Sequence, residues 1–138
     1  PTAAQSAVNP LNSAGNIACV TDSFDCRGIL DACRANEVPA LAIRAVAAGA
    51  LTTKMDRELL ADDPAHLDYD RAVGFRKLAA EWSQTPARLA HRYALSIPHL
   101  GSVILGVKNR EELQECLDAE RDSRLTAEEI AMVEAACQ

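Results

Sequence analysis

The chain has 138 residues, 49% of them apolar but only 4% aromatic, and a formal net charge of −6 at pH 7. That length matches one domain able to bury a real core. The acidic balance, with no Lys/Arg cluster dense enough to follow phosphates, argues against a nucleic-acid partner; no apolar run reaches the roughly 18–20 residues of a membrane span, and the start lacks the charged-then-apolar layout of a secretion signal.

Along the chain, short apolar strands alternate with helices. Ala3–Val8 reads as a brief extended segment, broken by the turn-rich Asn9-Pro10-Leu11-Asn12. Phe24–Ala35 reads as a helix because Cys26, Ile29, Leu30 and Cys33 recur at i, i+3, i+4 and i+7. Asp22 or Ser23 can cap its start and Asn36 can end it. Val38–Val46 is apolar on both faces apart from Arg44, the pattern of a parallel strand covered by helices. Ala47–Asp68, polar and interrupted by Pro64, reads as a long loop.

Arg71–Trp82 then places Phe75, Leu78, Ala79 and Trp82 on one helical face. Thr85-Pro86 starts the next helix with a cap followed by proline at the first helical position; Leu89, Ala90 and Tyr93 continue its stripe until Pro98 stops it. A strand is expected at Ser102–Leu105, a helix at Arg110–Ala119, and a last helix from Ala127 behind the capping box Thr126-x-x-Glu129. No repeat or linker divides residues 1–138, which read as one segment. Strands separated by helices imply a parallel sheet. Three strands are few for so many helices, and the sheet would keep two open edges.

Five cysteines (Cys19, Cys26, Cys33, Cys116, Cys137) form no Cys-x-x-Cys pair and fall on helix-like apolar faces, so they are expected as buried free thiols of a reducing cytoplasm. His66, His91 and His99 lack ligand-like spacing, and no metal site is expected. His91 lies within a helix pattern, and Tyr69 and Tyr93 read as packing residues.

The most informative stretch is Gly101–Ala119, where an apolar run stops at Gly106 and a helix opens at Asn109. The first amides of a helix lack internal partners and its dipole end is positive, so a strand running into a helix start can hold a phosphate. Gly106 would let backbone approach a ligand, and Lys108 adds a positive charge. The same junction also suits a purely structural turn.

Three stretches together resemble the aldo/keto reductase family. Gln5 with Asn9-Pro10-Leu11-Asn12 resembles its sixth barrel strand, where a glutamine precedes a "YN-L" type turn. Leu41–Leu51 (LAIRAVAAGAL) is similar to the seventh strand and its loop, "iaySPLxxGxL". Val103–Cys116 (VILGVKNREELQEC) looks like the eighth strand and cofactor loop, "vIPGxxxxeQLxEN", and Phe75–Ser96 resembles the helix pair between them. The resemblance implies an α/β fold: a partial (β/α)8 TIM barrel, with its last three strands, their helices and a C-terminal helix.

That resemblance implies an NAD(P)H-dependent oxidoreductase acting on small-molecule aldehydes and ketones, or on the matching alcohols and sugars. By position, Gln5 would hydrogen-bond the nicotinamide carboxamide, an amide offering donor and acceptor together. Arg44 stands where the family often stacks a tyrosine under the ring, and a guanidinium plane can also stack. Ala47, Gly49 and Leu51 belong to the loop expected over the pyrophosphate. Gly106, Val107 and Lys108 would meet the adenosine phosphate or ribose. Glu115 and Cys116 match an adenine-gripping pair, Cys116 departing from the usual asparagine. Glu112 stands where NADPH users often carry Arg or Gln; a carboxylate there would repel a 2′-phosphate and favour NADH. Asn109-x-x-Glu112 equally fits a capping box.

The family's proton-donating tyrosine, with its lysine, aspartate and histidine, comes from the second to fourth strands. The chain is therefore expected to be a catalytically silent C-terminal portion of a cytoplasmic enzyme, covering its open edges by self-association. A non-catalytic nucleotide-sensing subunit on the same fold is the alternative, and a helical interaction module without a nucleotide site a third.

Overall fold

A computed structural model describes residues 2–13 and 26–138. Among these residues three four-residue strands, β1 (Ala4–Ala7), β2 (Ala40–Ile43) and β3 (Leu100–Val103), form one parallel sheet in the order β1-β2-β3. Between β1 and β2 lies helix α1 (Cys26–Ala35). Between β2 and β3 come a 3-10 turn (Ala47–Gly49) and helices α2 (Pro64–Arg71), α3 (Val73–Glu81) and α4 (Pro86–Ser96). After β3 follow α5 (Arg110–Arg121) and α6 (Ala127–Ala135). The expected α/β fold with parallel strands is present, as an open sheet and not a closed barrel.

Register explains the sheet's two unlike faces. Ser6, Ala42 and Val103 lie side by side, as do Gln5, Leu41 and Ser102. Because side chains alternate across a strand, these rows face opposite ways. The first row is closed over: Ser6 and Ala42 are buried, and Val103 is half-buried against the core. In the second, Gln5 and Ser102 are exposed and Leu41 is half-buried. Among the described residues α1 packs on β1 and α4 on β3, and the cover is uneven: every residue of β2 is buried or half-buried, while its neighbours Gln5 and Ser102 in the second row are exposed.

β3 starts two residues earlier than expected. Its pairing to β2 skips Gly101, so Leu100 pairs with Ala40 and Ser102 with Leu41, while Ile104 and Leu105 lie beyond the strand and are exposed. The long loop expected over Ala47–Asp68 opens with the 3-10 turn and ends in the first five residues of α2. Asp63 caps that helix, accepting the Ala65 N–H at 2.8 Å, with Pro64 at the first helical position. Arg71 belongs to α2, and a break at Ala72 separates it from α3.

The other caps match expectation. Thr85 accepts the Arg88 N–H at 3.2 Å, and Thr126 with Glu129 makes a reciprocal capping box on α6. α1 ends at Ala35, with Asn36 donating its side-chain N–H to the Ala32 carbonyl at 2.8 Å. The expected start at Phe24, the caps Asp22 and Ser23, and Cys19 lie outside the described residues.

The core joins Leu30 and Cys33 of α1, Ala40 and Ala42 of β2, Phe75 and Ala79 of α3, and Leu89 and Ala90 of α4; Val133 of α6 completes it. Burying the larger of these, Leu30, Phe75, Leu89 and Val133, contributes about 1.5–3 kcal/mol each, before entropy is subtracted. Polar bonds stitch the helices over it. Arg88 grips Asp122 through two bonds of 2.6 and 2.7 Å, holding that carboxyl below its usual range. Glu134 of α6 accepts from Tyr93 at 2.8 Å and from Arg27. Cys33, Cys116 and Cys137 are buried free thiols, and burial pushes the Cys137 thiol up to about 12.

Candidate functional site

Parallel strands end together, so the loops after β1, β2 and β3 open at one end of the sheet. Val8 N–H still reaches the Ile43 carbonyl at 3.0 Å, and Ile104 N–H the Ala42 carbonyl at 2.8 Å. Past these bonds the three loops begin.

The loop after β2 is unusually left-handed. Arg44 (φ 59°), Ala47 (47°), Ala48 (56°) and Gly49 (99°) all have positive φ. Each non-glycine residue held so costs about 1–2 kcal/mol and persists only where its surroundings over-determine it. Those surroundings are visible as a set of clamps on the loop's carbonyls. The Asn9 side chain donates to Arg44 O at 3.1 Å, and Arg57 donates to Ala48 O at 3.0 Å. Thr52 Oγ1 donates to Gly49 O at 2.7 Å, and Arg76 to Ala50 O at 3.3 Å. Arg76 also stacks 3.9 Å from the Tyr69 ring centroid, while the Tyr69 hydroxyl donates to Thr53 O at 2.9 Å.

The loop after β3 has a different character. Gly106 is exposed, its φ is not left-handed, and nothing lies within 4 Å of where a Cβ would stand. Neither packing nor backbone conformation among the described residues requires glycine there. Val107 and Lys108 are exposed beside it. Lys108 pairs with Asp56, which joins the loops after β2 and β3.

At the start of α5, Asn109 Oδ1 accepts the Glu112 N–H at 2.8 Å. The Glu112 carboxylate accepts the Lys108 N–H at 2.7 Å and the Asn109 side-chain N–H at 3.3 Å. The helix start is thus capped, with the carboxylate bonded one residue before the usual capping-box position. The backbone N–H of Lys108, just before the helix start, is thus taken by an anion of the chain itself.

The structure sorts the expected site residues into three groups. Arg44, Gly106, Val107 and Lys108 are exposed in the loops past β2 and β3, with Gly49 and Glu112 half-buried in the same loops and the start of α5, while Gln5 is exposed within β1, two residues before its end. Ala47 and Leu51 are wholly buried, because the 3-10 turn folds them into the core; they support the loop from beneath and offer a ligand no surface. Glu115 and Cys116 face α4 instead. Thr85 donates its hydroxyl to Glu115, and Cys116 Sγ lies 3.4 Å from His91 Nε2. His91 Nδ1 in turn sits 2.8 Å from the Ala87 carbonyl, which fixes Nδ1 as the protonated nitrogen and leaves Nε2 to accept from the thiol. Burial pushes the His91 imidazole down and the Cys116 thiol up, so both are neutral at pH 7.

Sequence reasoning did not single out Asp56, Arg57 and Arg76, and it took Asn9 only as part of a turn. Single charges in a polar loop carry no periodic signal, and their partners are backbone carbonyls that only the fold brings near. Tyr93 is buried, its hydroxyl bonded to Glu134, and Tyr69 is half-buried. Among the described residues no group of three or more His, Cys, Asp or Glu side chains could hold a metal, and no helix is long and apolar enough to cross a membrane.

A parallel sheet backed by helices, with loops gathered at the strands' C-terminal ends, defines part of a β/α barrel. The family model of the aldo/keto reductases matches residues 3–138, and the chain belongs to that family. Among solved structures it is similar to the aldo-keto reductase AKR11C1 of Bacillus halodurans in its holo form, with a TM-score of 0.64 and 19% identity. That match covers 97% of this chain and 42% of the other, so the chain spans under half of that enzyme's length. At such identity the likeness shows the fold. None of the curated proteins matches the chain by sequence.

Proposed function

We propose that the loops after β2 and β3 form part of the binding site for a nicotinamide dinucleotide, NADH or NADPH, in an aldo/keto reductase. The observation that carries this reading is the meeting of those loops through Asp56 and Lys108 beside a glycine, Gly106, that no packing among the described residues explains. Backbone without a Cβ beside a lysine and a helix start is suited to a phosphate or ribose. Gln5, exposed within β1, offers an amide to the nicotinamide carboxamide, and Arg44 a planar cation at the strand end. Gly49, Val107 and Glu112 complete the contacts. Ala47 and Leu51 act from beneath, and Glu115 and Cys116 hold α5 on α4.

A nicotinamide dinucleotide held there would supply or accept the hydride. The chain's part is to hold and orient it. Reduction of an aldehyde or ketone, or oxidation of the matching alcohol or sugar, also needs a proton donor. The Tyr69 and Tyr93 hydroxyls are both committed to partners within the chain. We infer that turnover requires further barrel strands beside β1 and β3, and that without them the chain self-associates through these edges.

Titrating NADH and NADPH against the purified protein by fluorescence tests the site. Saturable binding that weakens on Lys108→Ala is expected, and no binding of either dinucleotide refutes the reading. Sedimentation across concentrations tests the association; a monomer throughout ends that part.

A further inference from the structure

The ladder between β1 and β2 does not simply stop where the strands end. After Val8 N–H reaches the Ile43 carbonyl, the next link is made by a side chain. Asn9 is 2% exposed, and its amide nitrogen donates both to Arg44 O at 3.1 Å and to Ser13 O at 2.8 Å. Its Oδ1 accepts the Ser13 N–H at 3.0 Å. The Arg44 carbonyl so held also accepts the Ala47 N–H at 2.8 Å, closing the first turn of the left-handed loop. One buried amide therefore ties the loop after β1 to the loop after β2, at the residue where the left-handed run begins. Ser13 extends the tie to α2, where its hydroxyl donates to Asp68.

We propose that Asn9 is a positioning residue of the dinucleotide site, holding Arg44 and the Ala47–Gly49 turn in their receiving conformation without touching the ligand. This inference rests on the dinucleotide reading above. Only an amide supplies two donors and an acceptor from so short a side chain. Aspartate has the same shape but sets a carboxylate against two carbonyl oxygens; alanine leaves both carbonyls without this donor. Either change frees a strained turn to relax away from the geometry that the ligand needs.

The test is NAD+ binding by isothermal titration to wild type, Asn9→Asp, Asn9→Ala and a control, Thr126→Ala, which loses the cap at the start of α6 and touches none of the loop clamps. The Asn9 variants are expected to bind about tenfold more weakly, the order of effect of one lost buried bond. Thr126→Ala should bind as wild type does despite its lower melting temperature. Asn9→Asp should regain affinity between pH 8 and pH 5, as its protonated acid becomes able to donate to Arg44 O; wild type should not. Amide exchange on wild type needs no variant to fold: NAD+ should slow Ser13 and Ala47 together. Undiminished binding in the Asn9 variants, equal weakening in Thr126→Ala, or protection of Ala47 without Ser13 each overturns the inference. A wild type that binds no NAD+ removes the dinucleotide reading itself, a distinguishable failure.

Discussion

Glu112 offers the sharpest prediction, because its two possible roles separate in one experiment. Its carboxylate is bonded to the Lys108 and Asn109 N–H groups at the positive end of α5. Glu112→Gln keeps the shape and removes the charge. As a cap it loses charge assistance and the dipole interaction, about 1 kcal/mol together, which corresponds to a melting temperature lower by roughly 3–4 °C in a domain of this size. As a selector it loses repulsion. Two unit charges about 4 Å apart in water repel by about 1 kcal/mol, and a phosphate monoester carrying nearly two charges by about 2 kcal/mol. That is a factor of about thirty in affinity, less after salt screening.

Fluorescence titration of NADH and NADPH into both proteins is the assay. Glu112→Gln should tighten NADPH by at least tenfold at low salt and leave NADH within about twofold, with the gain shrinking at high salt. A lower melting temperature with an unchanged NADPH/NADH ratio means that Glu112 only caps. A wild type that already binds NADPH ten times more tightly than NADH refutes the reasoning outright.

Three further outcomes are expected. Lys108→Ala should weaken both dinucleotides about fivefold and flatten the salt dependence of binding, whereas Asp56→Asn, which frees Lys108 from its partner, should tighten them; identical effects of the two changes would sever the link between that pair and the ligand. Burial holds His91 neutral, so its folded pKa lies below the unfolded one, and the unfolded chain binds the extra proton first as pH falls. Its contribution is full above the unfolded value near 6.5 and is lost as pH drops from there toward the folded value. Melting temperatures between pH 7.5 and 5 should therefore fall more steeply for wild type than for His91→Gln, and parallel curves would exclude the buried imidazole as the cause. The Cys137 thiol, pushed up to about 12 and buried, should resist alkylation at pH 8 until denaturant is added, as read by peptide mass spectrometry; modification of the native protein at the exposed-thiol rate would contradict its placement.

How much of this was legible in the sequence depended on whether the signal was local. Thr85-Pro86, Asn109 and Thr126-x-x-Glu129 announce helix starts through bonds within four residues, and each cap forms where the letters place it. Asp63-Pro64 uses the same grammar inside a stretch whose polar composition reads as loop. The helix that it opens buries only Ala65 and Asp68, so no apolar period stood behind the cap. β3 was displaced because its register is set by β2, through a pairing that skips Gly101; the exposed Ile104 and Leu105 are as apolar as any strand residue. In the site the divide is the same. Gly106 and Lys108 are readable as types suited to a phosphate, and the resemblance in three motifs brought the family within reach. Cys116 and Glu115 turned out to face α4, a matter of which side of α5 packs on its neighbour.

Asn9 and Arg57 were the hardest to see, for a physical reason. What they bind is main chain, and a carbonyl in the left-handed region has no letter of its own. Alanine at positions 47 and 48 gives no warning of positive φ, since the residues that hold it there come from the loop after β1 and from nine positions onward. The strain and its restraint are thus encoded in different parts of the chain. If the loop's shape is what a dinucleotide requires, selection on that shape acts on Asn9 and Arg57 as strongly as on residues that touch the ligand. Substituting glycine at Ala48 tests the point from the other side: it removes the strain at that residue, with Arg44 and Ala47 still left-handed, and leaves every clamp, so affinity should hold or improve, while a loss would mean that the strain at Ala48 itself presents the turn.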